Sequence, residues 1–266
     1  MKSQYRNLFG FIALLVAVSL ACGAFGAPAE APTSAPLPTN PPPPTSEPVQ
    51  PLPQPQELPT QEPPQPAAPI VQKFFTEEFD APLSSNWSIL TVTDSGKSDP
   101  DKVTVETSNG KLVWDFQSEY VYYYLFYEGD RYDDVKLELR ADNRGRNNNF
   151  VSLICRYDEK VGWYEFNIEN NGLYSILFAE VTSSGQIRYN LVANGGSNAI
   201  KQGRDVNEYA VSCIGDKLSL TINGRDVNTV TERKFSLRDG GVGISVGSQN
   251  VLPIIVEMDW LRIIEP

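Results

Sequence analysis

The 266-residue chain predicts an all-β fold, a two-sheet antiparallel β-sandwich behind a disordered proline-rich linker. Three observations carry this. Apolar side chains recur with period two in one segment after another, as half-buried strands require. Glycine-containing turn signals arrive at short intervals: Asn109-Gly110, Asn171-Gly172, Ser184-Gly185, Gly195-Gly196, Asn223-Gly224 and Asp239-Gly240-Gly241. No apolar run keeps helical spacing beyond about two turns, so helix is a minor component.

The first element is not part of that fold. Lys2 and Arg6 precede a 13-residue apolar run from Leu8 to Leu20. This length suits a secretory signal and is short for a membrane span of about 20 residues. The run leads into Ser19-Leu20-Ala21-Cys22-Gly23, which resembles a bacterial lipoprotein signal with Cys22 as the lipidated residue. Ser19 departs from that pattern, where an aliphatic residue is commoner. Residues 1–21 are therefore expected to be a signal peptide. The competing reading is ordinary cleavage near Ala21 or Ala27.

Residues 22–70 form the second element. Seventeen of the 21 prolines lie between Pro28 and Pro69, a stretch without Lys, Arg, aromatic residues or glycine. Such a segment cannot bury enough apolar surface to offset chain entropy. As polyproline II it would extend on the order of 100 Å, a spacer between a lipid anchor and a domain. A proline-motif ligand is the alternative.

Residues 71–266 make one domain with 20 basic and 29 acidic side chains. Val135, Leu137, Leu139 and Ala141 share one strand face. Tyr164, Phe166 and Ile168 oppose Trp163, Glu165 and Asn167. Leu218, Leu220 and Ile222 alternate into Asn223-Gly224. Several segments resemble concanavalin-like jelly-roll domains: Phe79-Asp80 with Trp87, Asn109-Gly110-Lys111-Leu112, Cys155-Arg156, and Trp163 to Ile168 with Gly172-Leu173-Tyr174. Tyr209 to Gly215 with Leu218 to Gly224, Gly241 to Ser245 and Val256 to Arg262 complete the series. Their order resembles the laminin-G and 3-keto-disaccharide hydrolase-like group of two-sheet jelly rolls, whose members often sit on bacterial lipoproteins behind such a linker.

Composition narrows the chemistry. The chain has no histidine, which removes Ser-His-Asp and Cys-His machinery and His-ligated metals. A net charge of −11 argues against nucleic acid as a partner. With Cys22 set aside for lipid, Cys155 and Cys213 form an even remainder in an exported protein and are expected to pair, between neighbouring strands or across the sandwich. Alternation puts Cys155 on one face with Val151, Leu153 and Tyr157.

Carboxylates are the remaining general acids. Glu257-Met258-Asp259 begins like the Glu-x-Asp-x-(x)-Glu strand of jelly-roll glucanases, but the last glutamate is missing. Glu138, Glu165 and Glu169 also point outward from predicted strands, and a glycosidase needs two carboxylates about 5–9 Å apart. No catalytic residue is assigned. Asp94, Asp99, Asp101, Asp130, Asp133 and Asp134 are loop oxygens of the type calcium takes, although solvated turns are the favoured reading. No other cofactor is expected.

The densest signal is aromatic. Tyr120, Tyr122, Tyr124 and Phe126 fall on one face of a strand, with Val121, Tyr123, Leu125 and Tyr127 on the other. One face is expected to be core, which leaves a tyrosine stripe suited to stacking on sugar rings; the alternative is that both faces are buried, one under a long loop. Outward Arg140, Arg156, Trp163 and Asn167 would orient the hydroxyls. The candidate carbohydrate-binding set is therefore Tyr122, Tyr124, Arg140, Arg156, Trp163 and Asn167. The expected protein is a monomeric, lipid-anchored surface domain with a glycan or polysaccharide partner, touching the membrane through its N-terminal lipid only. A hydrolase with a carboxylate pair and a protein-adhesion or structural domain are the rivals.

Overall fold

The computed structural model describes residues 72–146 and 149–266. The expected signal peptide, the lipidated Cys22 and the proline-rich stalk lie outside the described residues. Strands β1 (Phe75–Glu77), β2 (Trp87–Thr93), β3 (Val103–Thr107), β4 (Leu112–Phe116) and β5 (Val121–Tyr132) come first. They are followed by β6 (Val135–Asn143), β7 (Asn149–Asp158), β8 (Gly162–Glu169), β9 (Leu173–Val181) and β10 (Ile187–Gly196). The remaining strands are β11 (Val206–Ile214), β12 (Lys217–Ile222), β13 (Arg225–Thr231), β14 (Gly240–Ser248) and β15 (Ile254–Ile264). Among the described residues the helical content is one 3-10 turn, Pro100–Lys102.

The strands form two antiparallel sheets. One runs β13-β12-β11-β6-β15-β4-β3, with β1 paired to the far half of β15. The other runs β10-β9-β8-β7-β14-β5-β2. The core lies between them. From the first sheet, Leu137, Leu139, Val211, Leu220 and Val256 face inward, and from the second Leu153, Phe166, Ile176 and Ile244 meet them. Each set follows the period-two pattern, because successive side chains leave a strand on opposite faces. Asn223 and Gly224, both at positive φ, turn β12 into β13 as expected. The turn expected at Gly195-Gly196 does not form, since both glycines close β10 as paired strand residues.

Cys155 on β7 and Cys213 on β11 are joined by a disulfide, with Cα atoms 6.6 Å apart. The bond links the two sheets. Immediately after Cys155 the alternation fails. Arg156 sits at φ 56°, and the β7–β8 register slips between Cys155 and Asp158. This bulge rotates the next side chain, so Tyr157 does not share the core face with Cys155. It stacks instead on Phe126 across the opposite face, with ring centroids 3.7 Å apart.

The second sheet is covered on both faces. Tyr124, Phe126, Ile154, Trp163 and Ala179 form a separate apolar cluster on its outer side. The central strand β14 makes room for it. Its Gly243, Ser245 and Gly247 share that outer face, where a Cβ on Gly247 would meet Phe150 and lie 2.7 Å from Tyr122.

Candidate carbohydrate-binding cleft

The outer face of the second sheet is strongly curled. Tyr124 on β5 and Tyr189 on β10 stand five strand positions apart in the sheet order, about 24 Å in a flat sheet. Their hydroxyls nevertheless meet at 2.7 Å. A bulge in β10 between Leu191 and Ala193 adds local bend to this edge. The result is a cleft of about 370 Å³, lined by Val92, Thr93 and Asp94 from one edge and Ile187 and Tyr189 from the other. Tyr122, Tyr124, Phe150, Glu165, Asn167 and Leu177 form its floor and walls. Tyr122 and Phe150 lie parallel, with centroids 5.5 Å apart and planes within 5°.

Glu165 occupies the floor and is 2% exposed. It accepts hydrogen bonds from Ser152 Oγ at 2.9 Å, Trp163 Nε1 at 3.2 Å and Tyr124 OH at 3.3 Å. Because the Tyr124 proton goes to Glu165, Tyr189 donates to Tyr124. A chain of hydroxyls thus runs from the buried carboxylate to Tyr189, which is 40% exposed. Burial raises the Glu165 pKa, and the three donated hydrogen bonds oppose that rise. Burial and the Glu165 charge together push the Tyr124 and Tyr189 hydroxyls well above the ordinary phenol range.

Asn167, 9% exposed, lines the same cleft, and its buried Oδ1 has no hydrogen-bond partner. A buried acceptor without a donor costs free energy until something supplies one.

Four of the six sequence candidates meet on this face: Tyr122, Tyr124, Trp163 and Asn167. Trp163 lies beneath the surface at 1% exposure, edge-on to Tyr124 and Phe126, so it supports the floor without lining it. The two arginines are elsewhere. Arg140 projects from β6 in the other sheet, bound to Asp259 at 2.7 Å and Glu208 at 2.9 Å. Arg156 is 1% exposed, and its guanidinium donates to the carbonyls of Asp133, Gly215 and Leu237. The bulge that displaces Tyr157 turns Arg156 into the loop junction, so it is not available to a ligand. Alternation cannot reveal a residue at positive φ.

The Glu257–Asp259 pair also belongs to the first sheet. Lys111 Nζ reaches Glu257 at 2.9 Å and Asp259 at 3.2 Å. Burial raises the Asp259 pKa, but Arg140 and Lys111 outweigh it and hold the carboxyl below its usual range. The pair is an ion-paired surface of β15, on the other sheet from the cleft. The loop aspartates do not gather. Asp99 caps the 3-10 turn, Asp130 pairs with Lys73 and Asp134 accepts the Gly215 amide. Among the described residues no group of three acidic or Cys side chains is placed to hold a metal.

Residues 75–252 match the model of the 3-keto-alpha-glucoside-1,2-lyase-like domain. The chain belongs to that family. Its fold is also that of jelly-roll glycoside hydrolases. A Bacteroides ovatus mixed linkage glucan GH16 protein, in complex with a G4G4G3G product, superposes with a TM-score of 0.50 at 12% identity. That match covers 71% of this chain and 99% of the other. A Bacillus licheniformis beta-glucanase gives 0.50 at 15% identity over 74% and 100%. No curated protein matches the chain. At such identities the structural likeness establishes the fold alone.

Sequence reasoning missed Asp94, Phe150, Leu177, Ile187 and Tyr189 as parts of this family member's cleft. Tyr189 lies on the same side of its strand as Ile187, so alternation indicated a shared face. Nothing local could show that β10 curls back toward β5.

Proposed function

We propose that the cleft on the curled sheet binds carbohydrate, in a domain displayed outside the cell on a proline-rich spacer and anchored through lipid at Cys22. The observation that carries the reading is the unpartnered Asn167 Oδ1 beside the parallel Tyr122–Phe150 pair. A sugar ring presents C–H faces that pack on aromatic rings, and its hydroxyls are donors for a buried acceptor. The cleft volume falls at the small end of ligand pockets, about 300–1,000 Å³. The glycan ligands named for structural neighbours are consistent with this partner.

The test is a glycan array followed by calorimetry on Tyr122→Ala and Asn167→Leu. Both residues line the cleft without anchoring the core. At least a tenfold loss of affinity with retained thermal stability is expected. Unchanged affinity in both variants would remove the reading. Trp163→Ala and Tyr124→Ala are poorer probes, because each empties a packed cluster.

Glycan processing is the second reading, and Glu165 favours it. The carboxylate has a raised pKa and a hydroxyl chain leading to the cleft, as a proton-transferring group requires. The family description, a 3-keto-alpha-glucoside-1,2-lyase-like domain, points the same way. Turnover of a bound glycan, abolished in Glu165→Gln with binding retained, would select it over simple binding.

A further inference from the structure

The charged groups of this cleft are all of one sign. Asp94 stands at its mouth and Glu165 on its floor, and no Lys or Arg lines it. The other sheet is the opposite case. There Glu138, Glu208, Glu257 and Asp259 each pair with a Lys or Arg within 4 Å. Asp94 is exposed, and its carboxylate has no hydrogen bond or ion pair among the described residues. The same cleft holds the buried Asn167 acceptor without a donor.

We propose that the cleft selects its sugar by charge, taking an amino sugar in its ammonium form over the neutral parent, and the neutral parent over a uronate. The inference rests on the carbohydrate reading above and deepens it. An ammonium group supplies donors and a positive charge where the cleft offers acceptors and negative charge. A sugar carboxylate would lose water to face Asp94 and Glu165 with no cation to receive it. The reach of Asp94 across the mouth shows in the hydroxyls of Tyr122 and Tyr189. Burial is the main cause of their raised pKa values, and the Asp94 charge adds to both.

The experiment compares three matched β-1,4-linked disaccharides by calorimetry at low salt: the glucosamine disaccharide with its amines protonated, cellobiose, and the uronate counterpart of cellobiose. An exposed carboxylate supports a step of about 5-fold between successive probes. The steps should shrink as salt shortens the screening length. Asp94→Asn is expected to bring the amino and neutral affinities together. Its thermal stability should match the parent, since Asp94 is exposed and its carboxylate is unpaired among the described residues. Equal affinities for the three probes, or the uronate binding tightest, would overturn charge selection and leave carbohydrate binding standing. Full amino preference in folded Asp94→Asn would overturn the assignment to Asp94. No binding of any of the three, nor of any glycan on the array, would overturn the carbohydrate reading and charge selection with it.

Discussion

Truncating Arg156 should cost the domain stability and leave the cleft intact. Its guanidinium donates to Gly215 O at 2.8 Å, Leu237 O at 3.0 Å and Asp133 O at 3.2 Å. These carbonyls belong to the β11–β12 turn, the segment before β14 and the β5–β6 turn, so one side chain fastens three loops. In Arg156→Ala each acceptor loses a charge-assisted bond, and an unsatisfied buried group costs about 1–3 kcal/mol. Part of this is offset, because burial, reinforced by the nearby Arg238, already disfavours the charge and lowers the Arg156 pKa. The net expected loss is about 3–5 kcal/mol, in line with breaking a buried polar network. For a domain of this size that corresponds to a fall in Tm of roughly 6–20 °C. Two companions separate the causes. Arg156→Gly relieves a backbone held at φ 56° and should recover about 1 kcal/mol relative to alanine. Arg156→Lys should recover little, because a point charge cannot serve three carbonyls arranged around a planar fork. Urea denaturation at constant m-value measures all three. A loss below about 1 kcal/mol, or reduced ligand affinity in a fully folded variant, would refute the structural role.

Three further outcomes follow from the geometry. Replacing both Cys155 and Cys213 by alanine opens a loop with a sequence separation of 58 and should cost about 4 kcal/mol in the chain-entropy model, read as a lower urea midpoint. Gly247→Val should fill the space used by Phe150 and Tyr122 and abolish ligand binding while the core face of β14 keeps the fold, measurable by calorimetry beside circular dichroism. Two buried glutamates should give opposite pH dependence. Burial would raise the Glu232 pKa, but hydrogen bonds from Tyr164 and the Phe235, Ser236 and Lys234 amides lower it. Its stabilisation is therefore present above the unfolded value, about 4.3, and is lost as pH falls through the lower folded value. Glu165 is raised, so the wild type should gain stability relative to Glu165→Gln as pH falls from the raised value towards the ordinary one. Denaturation curves across pH 3–7, roughly the carboxylate range, check both signs.

Much of the fold could be read along the chain because a strand writes its two faces into alternate residues. Val135 to Ala141, Tyr164 to Ile168 and Leu218 to Ile222 all bury the side that alternation assigns. The tyrosine run of β5 divides as expected from Val121 onward, with Val121 and Leu125 in the core and Tyr122, Tyr124 and Phe126 on the other face, whereas Tyr120, at φ 56°, lies before the strand. The cysteines carried their own pairing, since no third partner remained in the domain. The departures have two origins. A single bulge turns Arg156 and Tyr157 away from the faces that alternation assigns them, and Trp163 points outward from the core yet is buried. On this sheet the outer face has an apolar layer of its own.

The sequence alone determined the class of fold, the inward faces of the strands and the absence of histidine chemistry, because these depend on residue type and local period. Which outward residues meet was decided by tertiary structure. Arg140 and Asn167 both point away from the core, yet they stand on different sheets. Tyr124 and Tyr189, 65 residues apart, share a hydrogen bond only because the sheet curls. Curvature and sheet membership arise from pairing across the whole chain, and no window of sequence contains them.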